Sequence, residues 1–176
     1  MPVVWCGHGR ASYNYAWHSD DCIKQPWPFG GSLSTVSFNL KVLYDENQRG
    51  LNRWTYPNDQ LDLGRYKGCK LTFYRTKDTD YIAQYDISEP YQLDKYSCAS
   101  YHPAKMMMAK NKILIPSYDT KPKGKQKISL RIPPPKLYTD KWYSQSDLCK
   151  VNLLSLAVTA ASFTHPFGSP QTSNLC

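Results

Sequence analysis

Between Cys69 and Asp86 the chain alternates, stops and resumes, and few folds accommodate that pattern. Cys69, Leu71 and Phe73 fall on one face of an extended segment and Lys70, Thr72 and Tyr74 on the other, as a half-buried strand requires. Thr76, Lys77, Asp78 and Thr79 are turn formers, and a second β-rich run, Asp80 to Asp86, follows at once. The spacing predicts a β-hairpin on which the rest of the chain must pack. Leu61, Leu63 and Arg65 lead into it and are expected to form one long strand with it, interrupted by a bulge at Gly68.

A chain of 176 residues is about one domain, long enough to bury a sizeable core. Its 14 Tyr, 5 Trp and 5 Phe, set among 13 Pro and 9 Gly, suit many short strands broken by turns better than a helical bundle. The expected fold class is therefore all-β or mostly β. No run of about eighteen apolar residues occurs, and Met1 is not followed by a basic and then apolar leader, so no membrane partner is expected.

In chain order, Pro2 to Cys6 is a short strand candidate, and Arg10 to Gly31 reads as a loop pinned by Tyr13, Tyr15, Trp17, Trp27 and Phe29. From Ser37 the period changes. Phe38, Leu40, Leu43 and Tyr44 share a helical face, Ser37 can cap it and Gly50 can end it, so one short helix is expected near 37–48. Trp54 is expected to plug the core. Ser88 to Lys110 loses periodicity, and Met106, Met107 and Met108 are expected to fill gaps from a loop, with a subunit contact the alternative. Strands are predicted at Lys112 to Ser117, stopped by Pro116, and at Lys127 to Ile132, stopped by Pro133 to Pro135. Trp142 and Tyr143 offer a core contact, and the apolar run Val151 to Thr164 is long enough for a helix but rich in Thr, Ser and Val, with flanks that favour a buried strand.

The sequence carries no recognisable catalytic signature: neither phosphate-binding glycine motif, no H-E-x-x-H and no G-x-S-x-G. Asp78 and Asp80 flank a turn and read as solvated turn makers, and no spacing brings Cys149 to His165. The six cysteines, Cys6, Cys22, Cys69, Cys98, Cys149 and Cys176, contain no C-x-x-C pair and read as reduced structural thiols. Cys6, His8, His18 and Cys22 match no common zinc spacing. The expectation is a protein that is not an enzyme, with no cofactor and no metal site.

Charge is more informative. Residues 101–150 carry eleven basic and three acidic side chains, whereas the rest of the chain is balanced, so the whole formal net charge of +8 resides in one segment. Such a local excess suits a nucleic-acid partner. Lys121, Lys123, Lys125 and Lys127 recur at every second residue across Pro122 and Gly124, which in an extended segment turns four ammonium groups one way. With Arg131 they are the candidate nucleic-acid-binding residues, and Tyr118 and Tyr138 are near enough in sequence to add stacking. The alternative is a solvated lysine loop.

The strings GLNRW, YPNDQLDL, RYKGCKLTFYR, DTDYIAQY, ILIPSYDTKPKGK, LRIPPPKLYTDKWYSQSDLCKV and LAVTAASFTHPFGSPQT, with a weaker echo in VVWCG, resemble in order the capsid protein of the anelloviruses, the torque teno virus group, encoded by their largest open reading frame. The resemblance covers roughly Pro28 to Cys176. It implies a viral jelly-roll sandwich forming one domain over 1–176, and a structural protein that self-assembles into an icosahedral shell around a circular single-stranded DNA genome. Its implied partners are other copies of itself, the DNA and a host receptor; its place is the virion, assembled inside the host cell, with the nucleus a candidate compartment. Against that pattern the arginine-rich arm, the first core strand, the spike region and the closing strand are not found, so the jelly roll is expected to be partial. A non-assembling single-stranded nucleic-acid-binding β domain is the alternative, and an extracellular adhesion module would require paired cysteines.

Overall fold

The computed structural model describes residues 15–19, 31–56, 61–88 and 101–164. Over these residues the chain is mostly β, in antiparallel sheets with one parallel pair and short helices. The strands are β1 (Tyr15–Ser19), β2 (Gly31–Phe38), β3 (Leu63–Gly64), β4 (Cys69–Tyr74), β5 (Asp80–Asp86), β6 (Lys112–Ile115), β7 (Lys127–Ile132), β8 (Tyr143–Ser144) and β9 (Leu154–Ala161). The helices are α1 (Leu40–Gln48), α2 (Pro103–Met108) and α3 (Gln145–Cys149), with a 3-10 turn at Lys136–Tyr138.

The predicted strands β4 and β5 form with the expected bounds, but they do not pair as a hairpin. β4 pairs antiparallel with β7, while β5 lies between β9 and β6 in a five-stranded sheet of order β1-β2-β9-β5-β6. The five residues 75–79 carry the chain from one sheet to the other. Across that step the rings of Phe73 and Tyr81 meet at 6.5 Å, and the Tyr81 hydroxyl donates to the Tyr74 carbonyl at 2.5 Å. The reason is burial. Ile82 and Ala83 point to opposite faces of β5 and both are fully buried, so β5 needs a cover on each face and cannot be half of a solvated hairpin.

One face of the large sheet packs on the β4–β7 ribbon through Phe73, Tyr81, Ala83, Ile115, Leu156 and Val158, with Leu71 and Ile128 beside them. The other face is covered by α2, where Met106 meets Ile82, Ala157 and Ala161. Met106, with Met107 beside it, thus fills a gap as expected, from a helix that the sequence hid in an aperiodic stretch, while Met108 is exposed. β9 is buried along its whole length and sits centrally between β2 and β5, as the apolar run predicts. At roughly 25 cal/mol per Å² of apolar surface, a strand covered on both faces contributes more than any exposed edge.

Further differences are local. Ser37 ends up within β2, bonded to Ser155 at 3.3 Å, and Asn39 caps α1 instead, its Oδ1 accepting from the Val42 N–H at 2.7 Å. Gly50 takes φ +72° and completes a Schellman closure, Gly50 N–H to Asn47 O and Leu51 N–H to Glu46 O, both 2.9 Å. Leu63–Gly64 pairs with β8 as a separate short strand. Gly68, at φ +105°, lies where a Cβ would come within 2.4 Å of the Ile132 carbonyl oxygen, which sets the end of the ribbon. Trp54 is half buried against the edge of Tyr44, and Trp142 is 63% exposed with the Arg65 guanidinium over its ring, so neither ring is a deep core plug. Within the segment read as a loop, Tyr15–Ser19 is a strand running parallel to β2. The strand candidate at Pro2 to Cys6 lies outside the described residues.

Candidate nucleic-acid interface

Ile128, Leu130 and Ile132 alternate along β7 with Lys127, Ser129 and Arg131, and the interior claims the first set. Lys127 and Arg131 are thereby left exposed on the outer side of the ribbon. The register with β4 is Lys70 to Arg131, Thr72 to Ser129 and Tyr74 to Lys127, so the polar face of β4 joins that of β7. The predicted residues Lys121, Lys123, Lys125, Lys127 and Arg131 are all exposed.

The loop that carries Lys121 to Lys125 has a fixed base. Arg75, only 8% exposed, donates from Nε to the Pro116 carbonyl at 2.8 Å and from Nη2 to the carbonyls of Ser117, at 2.7 Å, and Lys121. Its guanidinium lies 4.3 Å from the centre of the Tyr118 ring. Asp80, 4% exposed, accepts from the Ser117 N–H at 2.6 Å, the Thr120 hydroxyl at 2.8 Å and the Phe163 N–H at 3.0 Å. The Asp80 carboxylate is therefore a buried hub of the loop and not the solvated turn maker that its sequence position suggests. Asp78 does remain exposed, bonded to the neighbouring Thr79 hydroxyl.

The loop differs from the extended run expected of it. The chain bends at Lys123, Gly124 and Gln126, and Gly124 at φ +137° faces the Arg75 guanidinium and the Lys121 side chain. Regular alternation holds only from Lys127 onward. Tyr138 is buried and meets Tyr143 edge-on at 5.5 Å, and Tyr118 has one ring face occupied by Arg75. Neither ring stands free for a base as the sequence position suggested. Reading the sequence alone missed Lys70 and Tyr74. Their outward phase on β4 was legible, but their pairing with β7 was not.

Cys69 and Cys149 are free thiols, which removes two cysteines from the paired arrangement an adhesion module would need. The other four cysteines, His8 and His165 lie outside the described residues, and of His18 only the backbone, in β1, is described. Among the described residues no cluster of three or more His, Cys, Asp or Glu is arranged to hold a metal ion, and no helix is long and apolar enough to cross a membrane.

Compared with known proteins, the family model described as TT viral orf 1 matches residues 1–176. A protein named "Capsid protein" from Torque teno virus (isolate Human/Japan/SANBAN/1999) is 68% identical over 176 residues, covering 100% of this chain and 24% of that protein. One of the same name from the isolate Chimpanzee/Japan/Pt-TTV6/2000 is 47% identical over the same span and share. A relative from the isolate Human/Ghana/GH1/1996, 42% identical over 175 residues, is named "Probable capsid and replication-associated protein". The chain spans about a quarter of the length of these curated relatives, 24% of the first.

Proposed function

The chain belongs to the TT viral orf 1 family, and from that premise we propose that it is part of a structural capsid subunit of a virion, with no catalytic role. The observation that carries this reading is the match along the whole chain to proteins named capsid protein. In this reading the two packed sheets are part of a jelly-roll wall, residues 1–176 belong to one domain, and copies assemble into an icosahedral shell inside the host cell. The fold supports it with a stiff centre, β9 and β5 buried on both faces, and with large apolar side chains left outside. Leu61, Leu63, Leu137 and Trp142 are exposed around the small β3–β8 pair, where apolar and aromatic side chains suit subunit contacts. Electron microscopy and sedimentation of the full-length polypeptide test it: closed particles are expected, and protein that stays monomeric across salt and pH overturns it.

The enclosed partner is a single-stranded DNA genome, met by Lys121, Lys123, Lys125, Lys127 and Arg131. What supports this is that all five cations are exposed and that the base of the loop is held by buried side chains. For single strands log affinity falls with log salt by about 0.7 per phosphate neutralised, so replacing the four lysines by Ala is expected to flatten the slope by roughly 3. An unchanged slope in folded protein returns the loop to solvent. A non-assembling nucleic-acid-binding domain would keep the slope and form no particles.

A further inference from the structure

We propose that the outer face of the β4–β7 ribbon is itself a binding site for single-stranded nucleic acid, in which Lys70 and Arg131 grip the phosphate backbone and Tyr74 stacks on a base. The proposal rests on the reading that this chain contacts nucleic acid, and it moves the centre of that contact from the loop to the sheet.

Six side chains make up the face, in three register pairs: Lys70 with Arg131, Thr72 with Ser129, Tyr74 with Lys127. All six are exposed, and no sheet or helix among the described residues covers them. None is acidic. Residues directly opposite in an antiparallel pair hold their Cβ atoms about 5 Å apart, where like charges destabilise the sheet. Lys70 and Arg131 occupy such a pair, and among the described residues neither has an ion-pair partner. The exposed acids nearest in sequence lie outside both strands, Asp78 and Asp119 beyond the Tyr74 end and Asp62 and Asp140 beyond the Lys70 end, where Asp140 is paired with Arg65 at 3.3 Å. A cation pair maintained at a cost in a rigid sheet is suited to an anion that bridges both.

The middle and far end of the face fit a polymer. The hydroxyls of Thr72 and Ser129 meet at 3.0 Å, so the centre of the face is low and uncharged between two basic pairs. Tyr74 is 59% exposed, and its backbone carbonyl is fixed by the buried Tyr81 hydroxyl, so the ring is displayed from a rigid base. An aromatic ring flanked by cations is the platform on which unpaired bases stack, with little dependence on sequence. Along β7, Lys127 and Arg131 stand roughly 14 Å apart at about 3.4 Å per residue, room for a strand to run from the grip at Lys70 and Arg131 past Tyr74 to the loop lysines. An acidic peptide would satisfy the cations and leave the ring without a purpose.

Fluorescence anisotropy of the protein with oligo(dT) and oligo(rU), over a salt series, tests the proposal. The variant Lys70→Gln with Arg131→Gln is expected to flatten the salt slope by about 1.4, two phosphates' worth, while Lys70→Arg keeps the wild-type slope. Tyr74→Leu is expected to weaken oligo(dT) about tenfold and Tyr74→Phe to match the wild type. Inorganic polyphosphate, which has no bases, is expected to be insensitive to Tyr74→Leu. All these positions are exposed, so each variant should fold: the Tyr74 variants are expected to unfold with the wild type, and Lys70→Gln with Arg131→Gln, relieved of its like-charge pair, at or slightly above it. If replacing Lys121, Lys123 and Lys125 by Ala weakens binding and the ribbon variant does not, the ribbon site is overturned and the loop reading stands. If Tyr74→Leu weakens polyphosphate as much as oligo(dT), or an acidic peptide competes as well as either oligonucleotide, the stacking site is overturned.

Discussion

The peptide unit between Pro116 and Ser117 is held from both sides, its C=O by the Arg75 guanidinium and its N–H by the Asp80 carboxylate. Both side chains are buried, and among the described residues neither forms a salt bridge with the other or with any third group. Their charges are balanced by backbone dipoles, which makes each hard to replace. Asp80→Ala strands two N–H groups and a hydroxyl. It is expected to cost about 3 kcal/mol, a fall of about 6–12 °C in thermal midpoint for a chain of this size. Arg75→Lys should not rescue the loop, because one ammonium cannot reproduce a planar fork that reaches three carbonyls; unfolding by urea would detect a variant close to Arg75→Ala. Glycine positions separate in the same way. Gly50 has open space around it, so Gly50→Ala is expected to cost only the left-handed backbone penalty of about 1 kcal/mol. Gly68→Ala adds a collision with the Ile132 carbonyl and is expected to exceed about 3 kcal/mol.

Elements differ by how many faces they bury. β9 is covered on both, so Leu156→Ala leaves a cavity between the sheets and is expected to cost about 3 kcal/mol. β6 lies at the end of the same sheet, with Leu114 turned outward, and Leu114→Ala is expected to cost less than about 1 kcal/mol. Chemical denaturation of the two variants side by side checks the contrast. α1 buries no residue fully and depends on its ends, so Asn39→Ala, which removes the acceptor for the Val42 N–H, is expected to cost about 1 kcal/mol. Helicity near that segment should fray before the sheets melt, as hydrogen exchange would report.

Across the described chain, exposed cations are densest on the β4–β7 ribbon and its loop, whereas Leu61, Leu63, Leu137 and Trp142 gather around β3 and β8, with Lys136 and Lys141 beside them. A shell subunit needs both, one for cargo and one for neighbours, and substitutions should separate them. Leu63→Glu with Trp142→Glu is expected to shift sedimentation toward monomer while leaving oligonucleotide binding unchanged. The lysine variants are expected to do the reverse.

Three strands were legible with their bounds in the residues themselves, whereas β1 lay in a segment read as a loop and β2 was not foreseen. β4, β5 and β7 begin and end where alternation and turn formers put them, because the two-residue period of a half-buried strand and the proline and glycine stops are local properties. The buried character of β9 was legible for the same reason, as was the outward phase of Lys127 and Arg131. Pairing was not. Whether β4 joins β5 or β7 depends on which faces find cover, and a strand such as β5, apolar on both sides, is satisfied only in the middle of a sheet that the rest of the chain supplies. The buried roles of Arg75 and Asp80 were hidden for a related reason: a turn sequence reads the same whether the turn faces water or lies beneath another loop. Local chemistry thus determined the strands and the charge they carry, while only the tertiary packing decided that Lys70 and Tyr74 stand beside Arg131 and Lys127.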